Sequence, residues 1–123
     1  MFWSIDHSSS EREHIDKIMF SKNSQRSVIV TDEHERIVGV SHSWVQMCGF
    51  DPEEAFGSTP RILQGLKTDK SAARLFVSDI RNGNFAKTVL INYKKTREMF
   101  RHEIVGWQFG DLLIVETICQ DKI

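Results

Sequence analysis

The chain is poor in the residues that build covalent or metal-centred scaffolds. Only two cysteines, Cys48 and Cys119, occur in 123 residues. They make no disulfide framework, and neither sits in a Cys-x-x-Cys or Cys/His cluster of the kind that holds zinc. Neither sign of charge is in excess: 16 Lys and Arg stand against 17 Asp and Glu, for a formal net charge of -1. Bulk electrostatics therefore favours neither nucleic acid nor an anionic membrane as partner. No apolar run approaches the length needed to cross a bilayer. The opening residues, MFWSIDHSSSEREH, lack the basic and apolar regions of a secretory signal. A reducing, cytoplasmic setting is the expectation. Repeats, low-complexity tracts and long linkers are absent.

What is present suffices for one core. A hydrophobic fraction of 40% against 27% charged residues is ordinary for a globular domain, and the length fits a single one. Ser10-Glu-Arg-Glu13 has capping-box spacing, and Ile15, Ile18 and Met19 follow at helical intervals. This predicts an amphipathic helix over about 11–21, within a flanking segment 1–24 that precedes a domain of residues 25–123. Ser27–Thr31 and Ile37–Val40 are β-branched runs around the polar stretch Asp32–Arg36, the pattern of a hairpin. Ser41 or Ser43 can cap a short helix bearing Trp44, Val45 and Met47, with Gly49 as its stop. Asp51-Pro52 opens another helix, cap then proline, which stops at Gly57. Thr68-Asp69 starts a longer one carrying Ala72, Ala73, Leu75, Phe76 and Ile80, closed by Asn82-Gly83.

Three strands are then expected: Phe85–Tyr93, Met99–Trp107 and Leu112–Cys119, joined by Lys94–Glu98 and by Phe109-Gly-Asp111. Parallel βαβ repetition is missing, so the fold class is α+β, a five-stranded antiparallel sheet with short helices on one face. Leu112–Val115 and Val89–Ile91 are apolar at both parities, whereas half-exposed antiparallel strands alternate. Both sheet faces are therefore expected to be covered, the second by the N-terminal helix or a partner chain. That predicts a homodimer, or docking to an effector.

Four stretches in this order carry a resemblance: Cys48-Gly-Phe-Asp-Pro-Glu-Glu-Ala-Phe-Gly57, the turn GSTPRILQG from Gly57 to Gly65, Thr68-Asp69, and Ile91-Asn-Tyr93. Over roughly Ser27 to Cys119 the chain resembles a PAS domain, most like the light-oxygen-voltage (LOV) branch. That resemblance implies a sensor or interaction module and raises FMN as a cofactor. The branch's turn usually reads Gly-x-Asn-Cys-Arg-Phe-Leu-Gln-Gly, and its cysteine attacks C4a of the flavin after blue-light excitation. Pro60 stands at that position here. Proline has no nucleophile, fixes φ and lacks an amide donor. Thiol chemistry at this site is excluded, and Cys48 and Cys119 are read as inert small hydrophobes.

By the same resemblance Arg61 meets the flavin phosphate, Gln64 the ribityl chain and Asn92 the pyrimidine edge. Thr59 replaces the turn asparagine, and Val77 falls where a second phosphate arginine is common. His102 takes the place of a second ring-binding asparagine. Glu116 takes that of a glutamine at flavin N5 and O4, where an ionised carboxylate can only accept. By parity Phe100, His102 and Ile104 share one strand face, and Leu112, Ile114, Glu116 and Ile118 share one face of the next. If those faces coincide, His102 and Glu116 form a pair that fills the polar end of the hollow. A register shifted by one leaves both facing water.

Two functions follow. The first is a non-enzymatic PAS sensor or interaction module without a chromophore, or with an unidentified small ligand. The second is a thiol-less FMN-binding photoreceptor or redox sensor. An enzyme finds no nucleophile, base and orienter set among Ser43, Ser58 and the five histidines. Asp51, Glu53 and Glu54 read as helix-start charges, and Lys94, Lys95, Arg97 and Arg101 as a solvated hairpin tip broken by Glu98 and Glu103. Trp3, Trp44 and Trp107 read as packing residues.

Overall fold

The structure, a computed structural model, describes residues 1–4, 12, 13, 15, 16 and 25–123. Its helices begin where side chains can satisfy free backbone donors. Helix α1, His42–Cys48, starts at Ser41, whose Oγ accepts from Trp44 N at 3.2 Å and from Val28 N at 2.9 Å. One hydroxyl thus caps the helix and ties it to the neighbouring strand. Gly49, at φ 83°, ends α1. Helix α2, Pro52–Ala55, has proline in its first turn, and Glu54 Oε1 accepts from Asp51 N at 3.1 Å. Helix α3, Lys70–Arg81, is capped by Asp69, whose carboxylate accepts from Ala72 N at 3.0 Å. A 3-10 turn over Pro60–Leu63 lies between α2 and α3.

The strands are β1 Phe2–Trp3, β2 Val28–Thr31, β3 Ile37–Val40, β4 Ala86–Tyr93, β5 Met99–Phe109 and β6 Leu112–Lys122. Every pairing is antiparallel, in the order β1-β3-β2-β6-β5-β4. The α+β class is as expected. The sheet has six strands rather than five, because Phe2 and Trp3 pair with Val40 and Gly39 at its edge. Of the helix expected over 11–21, Arg12, Glu13, Ile15 and Asp16 are described and are helical; its remaining residues, Ser10 of the capping box among the neighbours, lie outside the described residues.

Helices cover one face of the sheet. Phe76 and Ile80 of α3 pack on Ala86, Leu90, Ile104 and Leu113. Trp44, Met47 and Cys48 of α1 join Ile29, Ile37, Val40, Leu63 and Phe100. On the opposite face Trp3 and Ile15 bury Val28, Val30, Leu112 and Ile114. The double-parity apolar run at 112–115 is explained: its even residues meet the N-terminal segment and its odd residues meet the helices. Farther along, the outer face is open, with Val89 42% and Ile118 53% exposed. Leu75, expected on the buried face of α3, is instead exposed.

The segment between the 3-10 turn and α3 is locked to β4. Gly65 N donates to Thr68 Oγ1 (3.0 Å), Thr68 Oγ1 donates to Ile91 O (2.6 Å), and Lys67 N donates to Tyr93 Oη (2.8 Å). The Tyr93 ring lies so close over Gly65 that a Cβ there would overlap ring carbons. A rigid ring cannot yield as the end of an alkyl chain does. Gly65→Ala is therefore expected to lower stability by about 1–3 kcal/mol, the range for overpacking a filled site; a denaturant midpoint equal to wild type would contradict this contact.

Candidate functional site

Between α1, the 3-10 turn, α3 and the inner sheet face lies a cavity of about 500 Å³. Its walls are largely apolar: Ile29, Trp44, Leu63, Ala73, Phe76, Val77, Leu90, Ile104 and Val115. That size and lining are typical of a site for one small organic molecule. Pro60, Arg61, Gln64, Asn92 and His102 all line it, as the resemblance implies for a ligand-binding set. Thr59 does not; it caps the 3-10 turn, its Oγ1 accepting from Arg61 N at 3.3 Å.

Glu116 does not line it either. Gly110 and Asp111 form a two-residue loop, so Phe109 pairs directly with Leu112 and, down the ladder, Val105 pairs with Glu116 and Ile104 with Thr117. Side chains directly opposed across a ladder share a face. Glu116 therefore lies on the face of Val105 and of Val28, its partner on β2, turned away from the cavity. There it is held by Arg26, with Nε on Oε2 and Nη2 on Oε1 at 3.2 Å. The expected pairing of His102 with Glu116 is thus corrected: the even residues of β6 oppose odd residues of β5 up to the bulge at Ile118. Thr117, unmentioned in the sequence reading, is the β6 residue beside the imidazole. Its signal was present in the loop length, which sets the parity of the hairpin.

A directed chain of hydrogen bonds runs along the inner sheet face. Asn92 Nδ2 lies 2.8 Å from His102 Nδ1, and His102 Nε2 lies 2.7 Å from Thr117 Oγ1. With the amide donating to Nδ1, the ring proton is on Nε2 and is donated to Thr117. Thr117 Oγ1 in turn points to Met47 Sδ at 3.6 Å. All donors run one way, and Asn92 Oδ1 at the head of the chain is a buried acceptor with no protein partner. Trp44 Nε1, a donor, is the other such atom among the described residues.

The cavity mouth is cationic. Arg61, Lys70 and Arg74 line it, with Glu35 as a single carboxylate. Val77 holds no charge, but Arg74 on α3, one turn earlier, also reaches the cavity. Glu35 is a turn residue at φ 64° and pairs with Arg81 at 3.4 Å. Neither cysteine lines the cavity. Burial pushes the Cys48 thiol up to about 11, and a hydrogen bond to Asp121 raises that of Cys119. Groups of three or more potential metal ligands are absent among the described residues.

At the hairpin Lys94 pairs with Glu98, as the charge pattern suggests, whereas Lys95 pairs with Glu54, Arg101 with Asp121, and Arg97 lies over the Tyr93 ring; Glu103 is in none of these pairs.

Burial of His102, 4% exposed, pushes its imidazole down to about 4 from 6.5. The folded protein keeps it neutral while the unfolded chain takes up a proton below 6.5. Stability from this group is therefore intact above that pH and declines as pH falls toward about 4, by about 3 kcal/mol over the whole window. His102→Gln, which keeps a polar side chain without the titration, is expected to flatten this part of the profile. Unfolding free energies of both proteins across the window test it, and parallel curves would refute it.

Comparison with known proteins follows the same lines. The family model for the PAS fold matches residues 13–107. The bacterioopsin transcriptional activator of Halobacterium salinarum is 30% identical over 74 residues, 60% of this chain and 11% of that protein. A blue-light photoreceptor of Listeria innocua is 32% identical over 80 residues, 63% of this chain and 32% of that protein. This chain thus spans a third or less of the length of these relatives. Among solved structures, the LOV domain of a blue-light activated histidine kinase from Erythrobacter litoralis superposes with a TM-score of 0.69 at 22% identity, over 76% of this chain and 94% of that one. The matched residues, the antiparallel sheet and the helix-covered cavity agree, and the chain belongs to the PAS-fold family.

Proposed function

We propose that this chain is a non-enzymatic PAS sensor module whose cavity binds, without a covalent bond, a planar heterocycle with an anionic tail, and that FMN fits that description. The observation that carries the reading is the cavity itself, roomy, apolar and sheltered, with one free acceptor at its sheet wall and three cations at its mouth. The first reading of the sequence is a module without a chromophore, or with an unidentified small ligand. It rests on the missing thiol at Pro60 and on a dismantled flavin clamp: Thr59 and His102 in place of asparagines, Glu116 in place of a glutamine and Val77 in place of a second arginine. Glu116 lies on the other face, and Arg74 supplies a cation beside Arg61. The Glu116 and Val77 departures lose weight while Pro60, Thr59 and His102 still depart from the branch's pattern; the cavity and its cations support the FMN-binding alternative.

The chain's own residues divide the work. Arg61, Lys70 and Arg74 hold the anionic tail, where guanidinium groups suit phosphate geometry. Asn92 Oδ1 accepts from a ring N–H, and Gln64 reaches the linker between ring and tail. Leu90, Ile104 and Val115 exclude water from the ring faces. When bound, a flavin supplies blue-light absorption and electron-accepting chemistry. Pro60 offers no nucleophile to it, so the response is carried by changes in hydrogen bonding at Asn92, His102 and Thr117.

Asn92, His102 and Thr117 have the spacing of an orienter, a base and a hydroxyl nucleophile. They do not act as one. The nitrogen facing Thr117 carries the proton, and an imidazole pushed down to about 4 is a poor base at neutral pH. The matched parts make up only 11% and 32% of these relatives, in keeping with a module that passes its signal to an effector. The outer sheet face, with the Phe85–Trp107 stack at 5.7 Å toward one end and exposed Val89 and Ile118 farther along, is proposed as the docking or dimerisation surface.

Two measurements test this reading. Purified protein is expected to bind FMN more tightly than riboflavin, and Arg74→Ala is expected to weaken FMN about three- to tenfold while leaving riboflavin unchanged. Absence of FMN uptake in equilibrium dialysis would end the flavin reading. Val89→Asp is expected to reduce self-association in light scattering while the thermal transition is kept; a monomeric wild type would redirect the surface to an effector.

A further inference from the structure

Trp44 sits on α1 with 1% of its surface exposed and is among the residues that line the cavity. Its backbone is fixed by the Ser41 cap, so the indole is held from a short rigid helix. Phenylalanine would fill the same apolar cluster of Ile29, Ile37, Phe100 and Leu63 without bringing a polar atom. The indole brings one, Nε1–H, and it has no protein partner. Buried donors in folded proteins are nearly always paired, because an unpaired one forfeits its bond to water.

We propose that Trp44 is a ligand-recognition residue, its indole N–H donating to an acceptor on the heterocycle that occupies the cavity. The inference rests on the ligand-binding reading above and narrows it. Indole nitrogen can only donate, so the ligand must present a carbonyl oxygen or an unprotonated ring nitrogen to α1. Asn92, lining the same cavity from β4, has a free acceptor and so asks for a donor. A heterocycle that presents both an acceptor and a donor meets both demands. A purely aromatic hydrocarbon leaves both buried atoms unpaired, and a heterocycle with acceptors alone leaves Asn92 Oδ1 unpaired.

The test uses the full chain with its tryptophans labelled at the indole nitrogen. Trp3, Trp44 and Trp107 give three indole resonances, and Trp3→Phe and Trp107→Phe identify that of Trp44 by elimination. On saturation with FMN the Trp44 resonance is expected to move downfield, as a newly bonded N–H does, and Trp44→Phe is expected to bind FMN about tenfold more weakly. A Trp44 resonance unmoved at saturation overturns the proposal even if the variant fails to fold; undiminished affinity in a folded variant does so as well. If wild-type protein takes up no FMN, the flavin reading fails by itself. The Trp44 proposal is then decided on protein as purified, compared before and after charcoal stripping of small molecules: a shift supports it, and identical spectra overturn it.

Discussion

The two residues of the β5–β6 loop, Gly110 and Asp111, decide what the cavity wall is made of. Because the loop is that short, Phe109 and Leu112 are partners, and every later pair inherits the register down to Ile104 and Thr117. A change of one residue in the loop would exchange the faces of the whole strand. As built, Val115 and Thr117 look toward the helices while Leu112, Ile114 and Glu116 look toward the N-terminal segment. Ile118 then stands without a partner on β5, and this extra residue rephases the ladder so that His102 opposes Gln120.

The consequence is a separation of polarity inside one hollow. The sheet wall carries polar yet uncharged groups, amide, neutral imidazole and hydroxyl, each donating to the next, and the hydroxyl donates on to the Met47 thioether outside the lining. Charge at that depth would be costly without a close partner, and the Glu116 carboxylate of β6 is kept on the opposite face against Arg26. Cations appear only at the mouth, where water and the opposing Glu35 moderate them. A molecule with a neutral polar ring and an anionic end is complementary to this gradient.

Helix α3 links the two regions. Its Phe76 and Ile80 press on the sheet over Gly106, where a Cβ would meet Phe76 Cζ at 2.9 Å. Its first turns carry Lys70 and Arg74 to the mouth. Its last turn sends Arg81 to Glu33 O (2.7 Å) and to Glu35, fastening the β2–β3 turn across the far end. The same helix thus closes the core, supplies the cations and braces the turn that brings in the one mouth carboxylate.

Much of this was legible from local chemistry. Caps at Ser41, Asp51 and Asp69, the glycine stop at Gly49 and the alternation of polar turns with β-branched runs depend on neighbours within a few residues, so the order of elements and the α+β class could be read directly. The turn at Pro60 and its lack of a nucleophile required no coordinates. Parity along β6 was also legible, grouping Leu112, Ile114 and Glu116 correctly. Which face that group belonged to was decided by the pairing partner across the hairpin, and the sixth strand by an edge contact between residues nearly forty positions apart. Only the tertiary structure brought Arg74 to the mouth, Thr117 to the imidazole and Trp44 to the cavity with its donor unspent. Such outcomes turn on register and on distances between distant segments, which composition and periodicity along a single chain do not encode.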